Sequence, residues 1–450
     1  MIKAAGASLF LLTSVLGAAA ASAQTRAPVS AAEPHVVYAV KPGDTLIGLG
    51  RAYLNRTSDY RAVQKTNRVK QPRRMQAGSQ LSIDPRLLKS TPIAATLSAS
   101  SGAVFIETSG QRIPARIGMT LSEGQSVVTG PSAFATFEME DGSRVTLPSN
   151  TRVRIAKLRQ VLINNAPQRV FQLEQGRSAI SATPTQNPAA KFEVHTPVSV
   201  SAVRGTEFRV SFSEGKAHTE VLVGAVAVDA GVVVTRAPPV PAGFGVSTAP
   251  GGVTAPVKLP PAPKLDPRGQ NQSDKTVHFA VEPAAGASAY RLQLSRDAGF
   301  IGVFAEATTS APAADFGELA NGTYFVRLTV LDAEGLEGFP ADYSFDRDLD
   351  TLETAAPVDS REGKHRKFLF RWSSAGDGVR NYRFQLFANA DGESGGAKTP
   401  VVDQPGLTEP QLTLTDLPPG VYAWRVAAVR FKNGAVTEKV GPLQTLQIGK

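Results

Sequence analysis

Residues 134–147 read FATFEMEDGSRVTL, and this stretch decides the fold class of the chain. Apolar and polar residues alternate on both sides of Asp141-Gly142, a dipeptide typical of hairpin turns. Similar short runs, separated by Gly, Asn, Pro and Asp, continue from residue 102 to about residue 230 without a convincing amphipathic helix. The pattern predicts an all-β domain over residues 102–232.

The N-terminus has the features of an export signal. In MIKAAGASLFLLTSVLGAAAASAQ, Lys3 precedes an apolar centre and the small-residue triplet Ala21-Ser22-Ala23. We interpret residues 1–23 as a signal peptide cleaved after Ala23, which predicts a periplasmic or cell-envelope location. An uncleaved membrane anchor is the alternative. No later stretch reaches the ~20 apolar residues of a membrane helix, so we expect no stable transmembrane span.

The composition restricts the chemistry that the chain can perform. Among its 450 residues there is no cysteine, and the five histidines are scattered without metal-ligand spacing. Disulfides and thiol catalysis are excluded, and we expect neither a metal site nor a cofactor. The sequence also lacks paired carboxylates, or a nucleophile with its base, in a helix-and-sheet domain. We therefore expect no catalytic residues and no enzyme activity.

Residues 36–90 form a separate and strongly basic segment. Their order of strand, helix, helix and strand predicts a βααβ unit. Between residues 41 and 76, nine basic residues stand against two acidic ones, which gives a net charge of +7. One explanation is a solvated surface. The other is attraction to a polyanion of the cell wall or of lipid headgroups rather than to nucleic acid.

Residues 38–83 resemble a lysin motif (LysM). They contain K-x-G-D-T-L at 41–46, an apolar helix, an asparagine after a second helix, and G-x-x-L-x-I at 78–83. The resemblance implies a cleft between two loops that binds N-acetylglucosamine-containing glycan of peptidoglycan. The residues that it assigns to this cleft are Gly43, Asp44, Thr45, Leu46, Asn67, Arg68 and Val69. The alternative is that Gly43, Asp44 and Asn67 only shape turns.

The all-β region resembles a FecR domain. Residues 118–155 contain G-x-x-L-x-x-G-x-x-V-x-T-G and D-G-S-x-V-x-L-x-x-N-[ST], and residues 195–210 read HTPVSVSAVRGTEFRV. The best-known FecR proteins relay an outer-membrane siderophore signal to a cytoplasmic sigma factor, so the resemblance implies a sensor or regulator of signalling. That role requires a cytoplasmic domain before a membrane helix, but only three residues precede the apolar run. The role therefore depends on whether the N-terminus is cleaved or retained as an anchor.

The C-terminal half contains a proline-rich segment and a repeat. We predict an extended linker over 236–274, because nine prolines lie between residues 236 and 267. YRLQL at 290–294 matches YRFQL at 382–386, and LANGTYFVR at 319–327 matches LPPGVYAWR at 417–425. The repeat predicts β-sandwich modules at 275–350 and 355–448, which resemble fibronectin type III or Ig-like domains. We expect these modules to move relative to the FecR-like domain, and residues 90–101 to be an exposed connection.

The sequence thus predicts a mainly β multidomain protein: a small βααβ LysM module, an all-β FecR domain and two C-terminal β-sandwich modules. The leading hypothesis is a non-enzymatic cell-envelope protein that binds peptidoglycan through its LysM module. Its FecR and Ig-like domains would then contact other envelope proteins. The alternatives are a FecR-type periplasmic sensor or regulator of signalling, and an accessory component of a wall-remodelling enzyme.

Overall fold

The computed structural model describes residues 35–231, 238–388 and 399–449. Within these ranges the chain forms a two-stranded N-terminal sheet, a large closed sheet, and two pairs of smaller sheets. The predicted mainly β, multidomain fold class is therefore confirmed. The predicted signal peptide and its cleavage site lie outside the described residues. Of the helices that the structure describes, none is long and apolar enough to cross a membrane.

The N-terminal module follows the order strand, helix, helix, strand. β1 (Val36–Ala39) pairs antiparallel with β2 (Gln80–Ile83), and α1 (Leu46–Tyr53) and α2 (Tyr60–Thr66) lie between them in the chain. Its buried apolar residues are Tyr38, Val40, Leu46, Leu49, Leu54, Val63, Leu81, Ile83, Leu88 and Val161. The last of these belongs to the large closed sheet, so the module shares its core with that sheet.

The large closed sheet, here called the barrel, contains nineteen strands. They are β3 (Ser90–Pro92), β4 (Ala95–Ser101), β5 (Val104–Thr108), β6 (Gln111–Pro114), β7 (Thr120–Leu121), β8 (Ser126–Thr129), β9 (Phe134–Met139), β10 (Arg144–Leu147), β11 (Arg152–Val161), β12 (Ala166–Ser181), β13 (Lys191–His195), β14 (Ser199–Val203), β15 (Glu207–Ser213), β16 (Lys216–Val223), β17 (Ala225–Ala230), β18 (Val240–Pro241), β19 (Phe244–Ala249), β20 (Gly252–Val253) and β21 (Val257–Lys258). The stretch FATFEMEDGSRVTL forms the hairpin β9–β10, in which Phe137 and Val145 are paired and buried in the barrel core.

Strand β12 joins two parts of the barrel because it changes partners along its length. Its first ten residues pair with β11, and its last six pair with β15. Gly176, at φ +90°, stands where the partners change. A Cβ at this position would lie 2.7 Å from the carbonyl oxygen of Asn150, so the bend requires glycine for both conformation and space. The last six residues of β12 belong to the face that meets the first sandwich.

Two expectations about connecting segments are wrong. Residues 90–101 are not an exposed connection, because they form β3 and β4, and Ala95 and Leu97 are buried in the barrel core. The predicted linker over 236–274 contains strands β18–β21, and β19 pairs antiparallel with β16. The prolines in this segment lie mostly outside the paired stretches, so they do not remove the hydrogen bonds that the strands need.

The remaining strands form two sandwich-like units. The first unit has β22 (Asn271–Gln272), β23 (Val277–Ala280), β24 (Ala289–Ser295), β25 (Val303–Thr309), β26 (Ala313–Phe316), β27 (Gly322–Leu331) and β28 (Ala341–Arg347). The second has β29 (Thr351–Glu362), β30 (His365–Ala375), β31 (Val379–Ala388), β32 (Val402–Leu407), β33 (Gln411–Thr415), β34 (Gly420–Lys432), β35 (Ala435–Val440) and β36 (Gln444–Ile448). Each unit places an aromatic-rich core between its sheets.

The repeat seen in the sequence corresponds to the same strand pair in both units. Leu294 of β24 lies opposite Val326 of β27, and Leu386 of β31 lies opposite Trp424 of β34. In each unit a tyrosine hydroxyl also donates to the carbonyl four residues earlier: Tyr324 to Ala320 at 3.1 Å and Tyr422 to Pro418 at 2.9 Å. The shared motif thus fixes the entry into the central strand of both units.

The two sandwiches are joined by residues 348–350 and by ion pairs. Asp348 accepts from Arg430 at 2.8 Å and from Lys432 at 2.7 Å. Asp350, in the same connection, pairs with Arg380 at 2.9 Å. No buried apolar cluster found in the described ranges spans this contact between the two sandwiches, here called the second junction.

Candidate functional site

The first predicted glycan loop makes mostly internal contacts. Gly43 adopts φ +88°, as its turn requires. The carboxylate of Asp44 accepts a hydrogen bond from the Tyr38 hydroxyl and another from the backbone N–H of Lys41, both at 2.8 Å. Burial, together with the nearby Asp44 carboxylate, raises the pKa of Tyr38 to about 12. Thr45 caps helix α1 by accepting from the N–H of Gly48 at 2.9 Å.

The remaining predicted residues are also partly committed to the module's structure. Leu46 is 1% exposed and belongs to the module core. The Asn67 side chain binds the backbone of Ser82 in both directions and donates to the carbonyl of Val63, which ties the end of α2 to β2. Arg68 adopts a left-handed φ of 52°, and Val69 packs against the core. These contacts favour turn shaping for Asp44, Leu46 and Asn67, and the glycan-binding role of the seven residues stays a prediction.

Four of the module's basic residues lie together on one shallow concave surface, here called the basic groove. Its lining residues are Tyr60, Arg61, Gln64, Lys65, Arg68, Val69 and Lys70. None of its four cations forms a salt bridge in the part of the chain that the structure describes. Of the predicted glycan residues, only Arg68 and Val69 line this groove, whereas Gly43, Asp44 and Thr45 do not. The two predicted loops do meet elsewhere, since the N–H of Leu46 donates to the carbonyl of Pro72 at 2.9 Å.

A second candidate site, which the sequence did not reveal, lies where the barrel meets the first sandwich. Glu337 of the sandwich is 4% exposed, and its carboxylate pairs with Arg209 and Arg177 of the barrel at 3.0 and 3.3 Å. Within its own unit it accepts from Arg291 at 3.0 Å and from the Thr329 hydroxyl at 2.8 Å. One buried carboxylate thus holds arginines of both units, and we call this group the Glu337 cluster.

The electrostatics of the Glu337 cluster separate two neighbouring carboxyl groups. Burial alone would raise the pKa of Glu337, but the charges of Arg209, Arg291 and Arg177 outweigh it and hold the pKa well below its usual range. Glu220 of β16 accepts from the backbone N–H of Glu337 at 3.3 Å and is 2% exposed. Burial raises the pKa of Glu220 to about 7, although Arg209 acts in the opposite direction. Glu337 therefore stays charged at neutral pH, whereas the neighbouring Glu220 titrates near neutral pH.

Apolar and backbone contacts extend the contact between the barrel and the first sandwich, here called the first junction. Phe300, at the turn between β24 and β25, is 3% exposed and packs with Phe134 of the barrel and Val303. Beside it, the Thr136 hydroxyl donates to the carbonyl of Ile301 at 3.1 Å. The segment predicted as a linker also takes part, because the carbonyl of Pro260 accepts from the N–H of Phe339 at 2.9 Å. The expected mobility of the first sandwich relative to the FecR-like domain is at odds with these contacts.

The sequence offered little signal for the Glu337 cluster. Arg177, Arg209 and Arg291 occupy polar positions of alternating strands, and such positions usually face solvent. Only contact between the two units turns these positions into an interior, and Glu337 lies 128 and 160 residues beyond Arg209 and Arg177 in the chain. Within the described ranges, no group of three or more acidic or histidine residues is placed to hold a metal ion.

Comparison with known proteins supports the FecR prediction for one part of the chain. The FecR protein family model matches residues 125–227, from the start of β8 into β17, so the chain contains a FecR domain there. A search of curated proteins found no match.

Several solved structures show weak similarity. A protein described as a "putative anti-sigma factor" from Parabacteroides distasonis matches at 16% identity and TM-score 0.23, over 28% of this chain and 55% of its own. This chain therefore spans about half the length of that protein. Fibronectin(III)-like modules of Clostridium thermocellum CbhA match at 13% identity and TM-score 0.19, over 41% of this chain and 93% of theirs. The FN1–FN3 domains of chicken CNTN1 match at 12% and 0.18, over 56% and 95%. With TM-scores below 0.5, these similarities carry no conclusion.

Proposed function

We propose that this protein is a non-enzymatic, FecR-type sensor or regulator that acts in the cell envelope. The observation that carries the proposal is the FecR match over 125–227, which includes the strands β12 and β15 that carry Arg177 and Arg209 of the Glu337 cluster. A partner or ligand that engages the barrel therefore acts on a face to which the first sandwich is already bound. In this proposal the barrel and first sandwich respond together, and the sandwiches present the signal to another envelope protein.

The regulatory role is tested by gene deletion in the organism that encodes the chain. We expect deletion to change a small, coherent set of transcripts several-fold, and re-expression of the full chain to restore them. Glu337→Ala should fail to restore them, because it disconnects the two units. The matched control is Glu334→Ala, which removes an exposed glutamate three residues earlier and should restore them fully. A deletion strain with unchanged transcripts contradicts the regulatory role.

A second candidate function is binding to peptidoglycan through residues 36–90. The observed βααβ order and the basic groove favour it, since the four cations of the groove, which form no salt bridge with a described residue, can attract wall carboxylates. The full chain should co-sediment with insoluble peptidoglycan, and a variant with Arg61, Lys65 and Arg68 changed to Gln should lose the salt-sensitive part of the binding. Binding that persists in 1 M salt, where the Debye length is ~3 Å, would indicate a glycan contact.

The control for this experiment must avoid the core of the module. Leu46 is unsuitable for mutation because it is buried, so a change there would unfold the module rather than remove a contact. A better control changes Arg116, Arg154 and Arg204 of the barrel to Gln, which alters the net charge by the same amount at exposed positions. If this control loses as much binding as the groove variant, the attraction is nonspecific and the groove is not a binding site.

A further inference from the structure

A cavity of about 190 Å³ lies beside the Glu337 cluster, between the barrel and the first sandwich. Its barrel wall is the outer face of β10, β12 and β15, and its sandwich wall includes Phe300 and Ile301. Ala179, an exposed residue of β12, forms part of the barrel wall. Because a water molecule takes about 30 Å³ in the liquid, the space accommodates a small organic molecule.

The charged groups that line this cavity are mostly cationic. They are Arg144, Arg177, Arg209, Arg291 and Arg327, with Glu207, Glu220 and Glu337. Glu337 is fully engaged by the arginines of its cluster, and the raised pKa of Glu220 leaves that group only partly charged at neutral pH. Arg291 and Arg327 are further matched by Glu306 and Asp342. The arginines that keep free donors are therefore those of the barrel wall.

Three of these donors are available to a ligand. Arg144 is half-buried, and its guanidinium forms no hydrogen bond or salt bridge within the described ranges. Among the described residues, the guanidinium of Arg177 uses one of its nitrogen atoms, in a long contact of 3.3 Å to Glu337. The Nε of Arg209 is buried and has no hydrogen-bond partner among the described residues. A buried donor in a protein is normally paired, so the Nε of Arg209 calls for an acceptor, and the partly exposed Arg144 and Arg177 offer further donors beside it.

The acids nearest to Arg144 do not satisfy it in this structure. In the sheet, Arg144 lies opposite Glu138 on one side and Ser181 on the other, and Ser181 lies opposite Glu207. Neither glutamate forms a salt bridge with Arg144 in the described part of the chain. The two glutamates still disfavour a bulky polyanion through like-charge repulsion, which limits the ligand to a small anion that fits between them.

We propose that this cavity binds a small organic carboxylate, a dicarboxylate such as succinate being of suitable size. One carboxylate accepts from free guanidinium nitrogens of Arg177 and from the Nε of Arg209, while the second lies near Arg144, and the short carbon chain lies against Phe300 and Ile301. Guanidinium groups suit this role because they donate two parallel hydrogen bonds to a carboxylate. The site joins both units, so its occupant would stabilise their contact. The proposal of a binding site does not depend on the regulatory role proposed above.

The test is calorimetric titration of the full chain with succinate and with succinamide, its neutral analogue. We expect saturable binding of succinate and at least tenfold weaker binding of succinamide. Arg144→Gln should weaken succinate binding at least fivefold, and Ala179→Phe, which fills the cavity, should abolish it. The matched control Arg116→Gln, at an exposed barrel position outside the cavity, should bind like the parent.

Each contrary outcome has a definite meaning. Equal binding of succinate and succinamide, or no binding up to 10-millimolar concentrations (about 3 kcal/mol), overturns the proposal. Unchanged binding by a folded Ala179→Phe variant, verified by circular dichroism, places the anion elsewhere and also overturns it. Because binding is measured on the purified chain, a negative result leaves the regulatory proposal standing, and unchanged transcripts in the deletion strain leave the binding site standing.

Discussion

The first sandwich has two neighbours in the chain, and it is joined to them in different ways. Its junction with the barrel contains a carboxylate whose side chain is 6% exposed, three arginines, and an apolar contact around Phe300. Its junction with the second sandwich relies on Asp348, whose side chain is 44% exposed, and on the more buried Asp350. The comparison teaches that a proline-rich connection can be packed, whereas a three-residue connection can combine a half-exposed ion pair at Asp348 with a more buried one at Asp350.

The difference has energetic consequences. A half-exposed ion pair contributes little, because water and salt screen it and the ordered side chains lose entropy. A buried cluster is different in kind: the desolvation of its charges limits what it adds, but removal of one member leaves the others uncompensated. We therefore expect the first junction to be sensitive to single substitutions and the second to be sensitive to salt.

The largest effect is expected from Glu337→Ala. The substitution leaves Arg177, Arg209 and Arg291 without their shared acceptor, and the expected loss is about 3–5 kcal/mol in the free energy of unfolding. Urea denaturation followed by far-UV circular dichroism measures it; tryptophan fluorescence would not, because Trp372 and Trp424 both lie in the second sandwich. Glu334→Ala, exposed in the same turn, should leave the transition unchanged. A loss below about 1 kcal/mol for Glu337→Ala would show that the first junction resembles the second.

A smaller effect is expected from pH, through Glu220. Its pKa is raised from 4.5 to about 7 in the folded state, mainly by burial, so its contribution is fully present below pH 4.5 and is lost as the pH rises through 7. Between pH 5 and pH 8 this group should remove about 2 kcal/mol of stability.

The Glu220→Gln variant isolates this group from its neighbours. Burial lowers the pKa of His218 on the same strand, which gives stability that is lost as the pH falls, so His218 acts in the opposite direction. Glu337, with its lowered pKa, stays charged over this pH range. The parent should lose more stability than Glu220→Gln between pH 5 and pH 8 in urea titrations. Parallel pH profiles of the two proteins would show that Glu220 does not titrate there.

The smallest effect is expected at the second junction. Asp348→Asn removes the acceptor that Arg430 and Lys432 share, and because Asp348 is nearly half exposed we expect a loss below about 1 kcal/mol. Raising the salt from 0.1 to 1 M should broaden the distances between the two sandwiches in small-angle scattering, and Asp348→Asn should show that broadening already at 0.1 M. Distances between the barrel and the first sandwich should stay constant. Broadening at both junctions would remove the distinction between them.

The sequence predicted local structure better than it predicted contacts between units. Alternation around Asp141-Gly142 indicated the hairpin β9–β10, and the paired YRLQL and YRFQL motifs indicated equivalent strands, because both patterns act between neighbours in the chain. Proline content failed as a sign of a linker over 240–258, where the strands alternate with the prolines. The seven residues predicted to bind glycan were assigned by resemblance. Their hydrogen bonds within the N-terminal module could not be foreseen from single positions.

The Glu337 cluster was beyond sequence reasoning for a physical reason. A strand that alternates apolar and polar residues has one face toward a core, and its other face is expected to meet water. Arg209 obeys this rule within the barrel, where it lies on the face opposite Phe208 and Val210 of the core. Its burial comes from a second layer, the first sandwich, whose docking depends on shape and on Glu337 together. No local pattern records that docking.

The position of Glu337 along the chain also affects the order in which the protein can be completed. Its barrel partners Arg209 and Arg177 precede it by 128 and 160 residues. During synthesis or export from the N-terminus, the barrel sequence emerges first, and its junction arginines stay hydrated until the first sandwich follows. Contacts between such distant residues form slowly, because a long loop must close before they stabilise anything. We therefore expect maturation to end at this junction, and the interval before it closes is when the exposed barrel face is open to proteases or chaperones.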